Sequence, residues 1–344
     1  MGASDRYAVR NYAALTGDFV LFSIGFVFYD PLVVVPAFVK TFTGSDLIVG
    51  LLAALRVLAI TLPQLWAASV LIARPRKRPL LIWSSLGGRL PVLALSVVTL
   101  LWAARAPWLV VGVLSLSVAL FFASEGLNGI SWPALVAHTI PAQVRGRFFG
   151  FGQLFSSLGA LGAGYVVRII LSLDALPESS RWGLLFACAT CGLMLSVLSM
   201  LFIREEAETR AASRVDVVRS AKTMAGYLKA DKWLRRVVLL QLVLGTAAAS
   251  FPFFVVRARE VVPGGDQSIG TFLVMQNLGG VAAALICGQL IDRVGSWAAV
   301  RAGAVVQTAS LGMVILASLS GAPQGFYLAA FLLVGFVTNS SWWS

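Results

Sequence analysis

Asp30, Arg56, Arg89 and Glu125 are ionisable side chains set inside long apolar runs. The sharpest case is FVFYDPLVV, residues 26–34, where an aspartate and then Pro31 stand among phenylalanine and valine. An unpaired carboxylate in such surroundings is costly, so each of these groups needs a counter-charge, a hydrogen-bonding partner or a task. The tasks open to them are holding a proton or gripping a charged or polar group of a solute. Asn128, Gln241, Gln276, Asn277 and Gln307 add uncharged hydrogen-bonding groups in similar runs. The chain does not read as an enzyme: no nucleophile, base and acid set is evident, and the phosphate-cradling pattern GxxxxGK[ST] does not occur. Three cysteines and one histidine are too few for most metal sites. Cys188 and Cys191 form a CxxC inside LLFACATCGLMLSVL, where small packing residues are expected, and His138 has no second ligand. No metal and no cofactor are expected.

The elements that must carry these residues follow from the apolar runs. Of 344 residues, 58% are hydrophobic and 12% charged, against about 25% charged in soluble domains, so much of the chain must face lipid. A helix needs about 20 apolar residues to cross a bilayer. Ten runs qualify, near 13–38, 47–71, 79–103, 108–137, 148–171, 182–203, 235–257, 269–291, 298–318 and 325–343. They are too long, and alternate too little, for a transmembrane barrel. The expected fold is all-α and integral to the membrane, with about ten transmembrane helices.

Lysine and arginine set the orientation. The tail (Arg6, Arg10), RPRKR at 74–78, VRGR at 144–147, the linker after the sixth run and 292–301 outweigh Lys40, Arg105, Arg168, Arg181, Arg257 and Arg259 on the other side. The N-terminus is therefore expected in the cytoplasm. The same asymmetry accounts for the net charge of +12 without nucleic acid, since no basic stripe is interleaved with aromatics. After MGASDRYAVRNY the first run is too long for a signal peptide and lacks a cleavage site, so it is expected to stay as a span. The predicted organisation is a six-helix bundle over 1–203, a charged cytoplasmic linker with an amphipathic helix over 204–234, and an incomplete four-helix bundle over 235–344.

Depth groups the buried charges. Asp30 lies about 12 Å inside the end of its run near Phe38, and Arg56 about 13 Å from the end of the next run near Leu47. The two are candidates for a buried ion pair. Arg89 is about 15 Å and Glu125 about 18 Å from the inner ends of the third and fourth runs, with Asn128 one turn from Glu125. Arg56 also reaches Glu125 on this reckoning, so the partners stay open, and a purely structural salt bridge is the plain alternative. Asp18 is expected to be wetted near a helix start. Pro31, Pro36, Pro63, Pro91, Pro133 and Pro252 interrupt spans, as moving kinks or as static bends. Gly152, Ser156, Ala160 and Gly164 recur every four residues, a stripe that lets helices pack closely.

An internal repeat ties the halves together. A shift of 220 places TGSDLIVGLL (43–52) over PGGDQSIGTF (263–272), Asp46 on Asp266 and Gly50 on Gly270. Duplication of this kind is typical of transporters built from two related bundles. Under the same shift Asp30 falls on Ser250 and Arg56 on Gln276, so the charged chemistry belongs to the first half and the second supplies hydrogen bonds. The loop GQLIDRVGSWAAVR, with Gly288, Asp292, Arg293 and Gly295, resembles the G-x-x-x-D-R-x-G signature of the major facilitator superfamily. PAQVRGRFFG, with Pro141, Arg145, Gly146 and Gly150, resembles that family's P-x-x-x-R-G-x-x-x-G.

The resemblance implies a two-bundle helical fold in the cell membrane and a secondary transporter of a small solute working by alternating access, with protons as a candidate coupling ion. It implies that these loops latch the bundles, and that the first and fourth spans, with Asp30 and Glu125, line the cavity. The chain departs from the pattern at Ala68 and Ile72, where the first-half loop should carry Gly and Asp, and it lacks the fifth-span motif of proton-driven drug antiporters. The family usually has twelve spans, so a non-transporting truncated relic and a transporter-like sensor stand as alternatives.

Overall fold

The computed structural model describes residues 7–71, 75–206, 217–320 and 323–340. Arg6, Ile72, Arg74, the linker stretch 207–216 and the terminal 341–344 lie outside the described residues, as do the side chains of Ala68, Gly288 and Asp292. The described residues form helices throughout: α1 (Ala8–Val27), α2 (Val34–Thr43), α3 (Asp46–Leu71), α4 (Arg78–Trp102), α5 (Pro107–Thr139), α6 (Ala142–Leu171), α7 (Glu178–Met200), α8 (Val217–Ala230), α9 (Lys232–Ala248), α10 (Phe251–Val261), α11 (Gln267–Val294), α12 (Ser296–Leu319) and α13 (Pro323–Ser340).

Among the described residues, eight helical segments are long and apolar enough to cross a membrane, fewer than the ten runs suggest. The difference lies at the two ends of the series. The run 13–38 is split between α1 and the 10-residue α2, and the described part of the final helix, Pro323–Asn339, is short of a full span. Lys232–Val261 counts as one span although it too is interrupted, between α9 and α10. Pro63, Pro91 and Pro133 sit inside α3, α4 and α5, whereas Pro31 lies in the break before α2 and Pro252 in the first turn of α10. Proline lacks an N–H and clashes with the preceding turn, which suits it to these breaks.

The chain groups into two compact units. The first comprises Met1–Phe26, Leu51–Ser156 and Phe186–Leu240. Its core gathers Leu15, Leu81, Leu135, Ile140, Phe148 and Ile203, with Tyr12 set edge-on to Phe148 at 5.4 Å. Phe22, Phe26 and Phe121 stack with centroids 5.7 to 6.5 Å apart. Within the small-residue stripe of α6, Gly152 meets the Phe19 ring and Ser156 Oγ donates to the Phe19 carbonyl. α1 and α7 touch backbone to backbone at Gly25 and Gly192. A Cβ on Gly25 would stand 2.7 Å from Leu193 N and 3.0 Å from Ala189 O. Gly25→Ala is therefore expected to destabilise the protein by about 1–3 kcal/mol through overpacking, read as a lower melting temperature of the purified chain.

The ends of α1, α4 and α7 are also pinned together by polar groups. Arg10 donates to the Phe202 carbonyl at 2.7 Å, and Asn11 exchanges hydrogen bonds with the Arg204 backbone at 2.9 and 2.8 Å. Arg78 donates to Leu201 O at 2.7 Å. Glu205 accepts from the backbone N–H of Lys77 at 2.8 Å and of Arg78 at 2.7 Å, capping the otherwise orphaned start of α4. Glu205→Ala is expected to cost about 0.5–2 kcal/mol, the usual worth of a lost cap, with Glu205→Gln retaining part of it in the same melting measurement.

The second unit comprises Val27–Gly50, Ser157–Leu185 and Gln241–Ser344. Phe272 stacks on Phe331 at 4.4 Å, and α11 and α13 approach closely where Gly279 meets the Leu332 carbonyl and Gly335 the Gln276 carbonyl. Here the 220-residue repeat has a physical form. The break at 28–33 corresponds to the break around Ser250, so both repeats start with an interrupted helix. Gly44 and Gly264, equivalent under the shift, hold φ of 65° and 100°, values that glycine adopts readily. Lys40 pairs with Asp46 at 2.7 Å, and Arg259 pairs with Asp266. In each repeat a cation near the end of the short helix meets the aspartate that opens the next long one.

Candidate functional site

Asp30 answers the question its neighbours raise. α1 stops at Val27 and α2 starts at Val34, and Asp30 bridges the gap. Its Oδ1 accepts from the N–H of Leu32 and of Val33, both at 2.8 Å, while its backbone carbonyl accepts from Val34 and Val35 at 3.0 Å. Pro31 has no N–H to satisfy, so the dipeptide closes a turn that leaves few orphan donors. The second carboxylate oxygen, Oδ2, accepts from Gln276 Nε2 on α11 at 3.1 Å. Asp30 is 6% exposed and Gln276 9%. The Gln276 Oε1 is buried and meets no hydrogen-bond partner among the described residues.

A second polar cluster lies within the first unit. Glu125 accepts from Asn128 Nδ2 at 3.1 Å, and Asn128 in turn bonds Ser85 at 3.1 Å and Ser84 at 2.6 Å on α4. Arg89, 1% exposed, donates from Nη1 to Leu193 O at 2.8 Å and to Ser196 Oγ at 3.1 Å, and lies 5.5 Å over the Phe22 ring. Ser196 Oγ donates to Asp18 Oδ1, and Trp132 Nε1 donates to Asp18 Oδ2 at 2.8 Å. Arg89 is in electrostatic reach of both Glu125 and Asp18. Two carboxylates thus share the field of one guanidinium.

Asp18 is not wetted, contrary to the expectation from sequence; it is 2% exposed. α1 begins at Ala8 rather than near 13, which places Asp18 about 15 Å along the helix. The signal was available, a carboxylate in an apolar run, but the polar residues ahead of it disguised the helix start. Ser196 and Trp132 gave no signal of their own.

The remaining candidates stand on several helices and loops. Arg56, on α3, stands 5.2 Å over the Phe122 ring. Gln241 is exposed on α9, a helix with no buried residue among those described. Asn277 turns back on its own helix, donating to Leu273 O at 2.8 Å, and Gln307 donates to Leu244 O at 2.6 Å across to α9. In the loop after α5, Pro141 breaks the chain and Arg145 folds back, its Nε donating to Ile140 O at 2.9 Å and its Nη2 to Ala137 O. Its guanidinium thereby satisfies the orphan carbonyls of the helix end, while a Cβ added at Gly146 would meet open space. In the loop after α11, Arg293 is exposed and Gly295 takes φ of 100° as the residue before α12.

The family profile of the Major Facilitator Superfamily matches residues 18–344. The chain belongs to the Major Facilitator Superfamily. It is accordingly a multi-pass membrane protein of a transporter family, not an enzyme, and its environment is the lipid bilayer. Among solved superfamily structures, a D-xylose–proton symporter aligns with a TM-score of 0.67 at 14% identity, over 98% of this chain and 80% of its own. The xylose transporter XylE from E. coli, in a partially occluded inward-open form, gives 0.68 at 14% identity over 98% and 83%. A mutant form of the nucleoside transporter NupG gives 0.62 at 13% over 96% and 80%. At these identities the likeness establishes the fold. No curated protein sequence matches the chain.

Proposed function

We propose that this superfamily member is a secondary transporter of a small polar solute, working by alternating access and driven by a proton gradient across the cell membrane. The observation that carries the reading is Asp30: a buried carboxylate at a broken helix, with one oxygen committed to the backbone and the other to Gln276. Transporters place such interrupted helices at their binding sites, where freed polar groups can meet a solute. The chain is read as ten crossings with a cytoplasmic N-terminus, and as bundles over 1–203 and 235–344 joined by the linker 204–234. α8 (Val217–Ala230) supports a helix in that linker. Asp30, Arg56, Gln241, Gln276 and Asn277 are assigned to the solute path. Glu125, Asn128 and Arg89 are assigned to the same path as its proton-handling cluster, with Asp18 added from the structure. The loops around Pro141, Arg145 and Gly146, and around Gly288, Asp292, Arg293 and Gly295, are read as the latches between access states.

Uptake into sealed vesicles tests this. Radiolabelled D-xylose and a nucleoside, the solutes for which structural relatives are named, are offered with and without an inward proton gradient. The reading expects at least one to accumulate beyond protein-free vesicles, faster with the gradient and slower in Glu125→Gln. Accumulation indifferent to both the gradient and Glu125→Gln would remove the proton from the account.

A further inference from the structure

Arg259 touches both elements that carry the Asp30–Gln276 contact. Its Nη1 donates to the Ala37 carbonyl at 2.6 Å and its Nη2 to Thr41 Oγ1 at 2.9 Å, both on α2, the helix that Asp30 leads into. The same guanidinium pairs with Asp266, immediately before α11. Gln276 lies about 15 Å along the chain from Asp266 at helical rise. Two helical struts, α2 and α11, are thus joined at one end by Arg259 and meet again where Gln276 Nε2 donates to Asp30 Oδ2 at 3.1 Å. With side-chain exposures of 15% and 18%, the Arg259–Asp266 pair is largely shielded from salt. Its repeat counterpart Lys40–Asp46 is more open, at 23% and 60%, and closes its own hairpin.

We propose that Arg259 is a positioning residue for the solute site: it sets the register of α2 against α11 and so holds Asp30 on Gln276. The inference rests on the reading that Asp30 lines the solute path. A slip of one residue displaces a helix by about 1.5 Å, enough to carry a 3.1 Å contact beyond hydrogen-bond reach. A guanidinium suits the task because its planar fork engages a carbonyl, a hydroxyl and a carboxylate in one fixed geometry, whereas lysine offers a point charge.

The test is hydrogen–deuterium exchange of the full chain in nanodiscs, read at the Leu32 and Val33 amides that Asp30 holds. Arg259→Ala is expected to speed their exchange by about ten-fold, with Arg259→Lys intermediate and the α4 amides unmoved. In a Gln276→Ala background, Arg259→Ala should add less than about two-fold, because the contact through which it acts is already gone. Asp266→Asn loosens the same clasp more gently and replaces Arg259→Ala if that variant fails to fold. Exchange unchanged in these variants, or raised by the same factor with and without Gln276, would overturn the proposal. Uptake by Asp30→Asn separates the two levels. If uptake is unaffected, the solute-site reading falls; if uptake is lost while Arg259 variants exchange like the parent, only the positioning role falls.

Discussion

Arg89→Ala is expected to lose about 3–5 kcal/mol of stability, the cost of removing one partner from a buried charge cluster. The argument rests on how little the site can adapt. Arg89 is 1% exposed, its guanidinium is anchored on Leu193 and Ser196, and the Phe22 ring covers it at 5.5 Å. Truncation leaves Asp18 and Glu125 without the cation whose field they share and opens a cavity beside Phe22. Asp18 keeps Trp132 and Ser196, but Ser196 loses the donor that orients it. The check is the folded fraction after detergent extraction, with thermal unfolding of whatever remains. Most of the protein should be lost, Asp18→Asn should restore part of it by removing a carboxylate, and Arg89→Lys should fall between. A variant melting close to the parent would show that the cluster is not held by charge.

Asp30→Asn is expected to reduce gradient-driven uptake about ten-fold or more while leaving the fold nearly intact. Asparagine preserves the shape and an oxygen for the Leu32 and Val33 amides, so the turn before α2 survives. It removes the charge and the titratable proton. Charge-assisted hydrogen bonds exceed neutral ones by about 1 kcal/mol or more, and about 1.4 kcal/mol is a factor of ten in binding. Asp30→Ala discards the cap as well and should lower stability by about 0.5–2 kcal/mol in addition. Uptake and melting temperature measured side by side on the two variants separate the loss of charge from the loss of the turn.

The apolar runs show most helices of this chain plainly, because a membrane-crossing helix needs an uninterrupted stretch that few other structures demand. They mislead where polar and apolar helix join or where a helix breaks. α1 starts at Ala8 because Arg10 and Asn11 are anchored on Phe202 and Arg204, and Asp18 is therefore deep. The dipeptide Asp30–Pro31 raises a charge question in the sequence and also closes a backbone turn, a role that becomes visible only once the turn at 28–33 is seen. The repeat was legible from Asp46 and Asp266, since each keeps its cation, Lys40 or Arg259, and its glycine turn. The pairing of buried charges was less so. Depth along a helix fixes height but not the direction a side chain takes, so Arg89 could be matched to Glu125 by height while its bonds to Leu193 and Ser196 stayed hidden.

The most direct measurement is accessibility at position 30. In full-length protein with Cys188, Cys191 and Cys287 changed to serine, Asp30→Cys is exposed in sealed vesicles to a water-soluble, membrane-impermeant maleimide and, separately, to a lipid-soluble one. A carboxylate position on a wet solute path predicts labelling by the water-soluble reagent, slowed by the solute that the vesicles accumulate. Labelling by the lipid-soluble reagent alone, indifferent to every solute, would place position 30 against acyl chains and contradict the account.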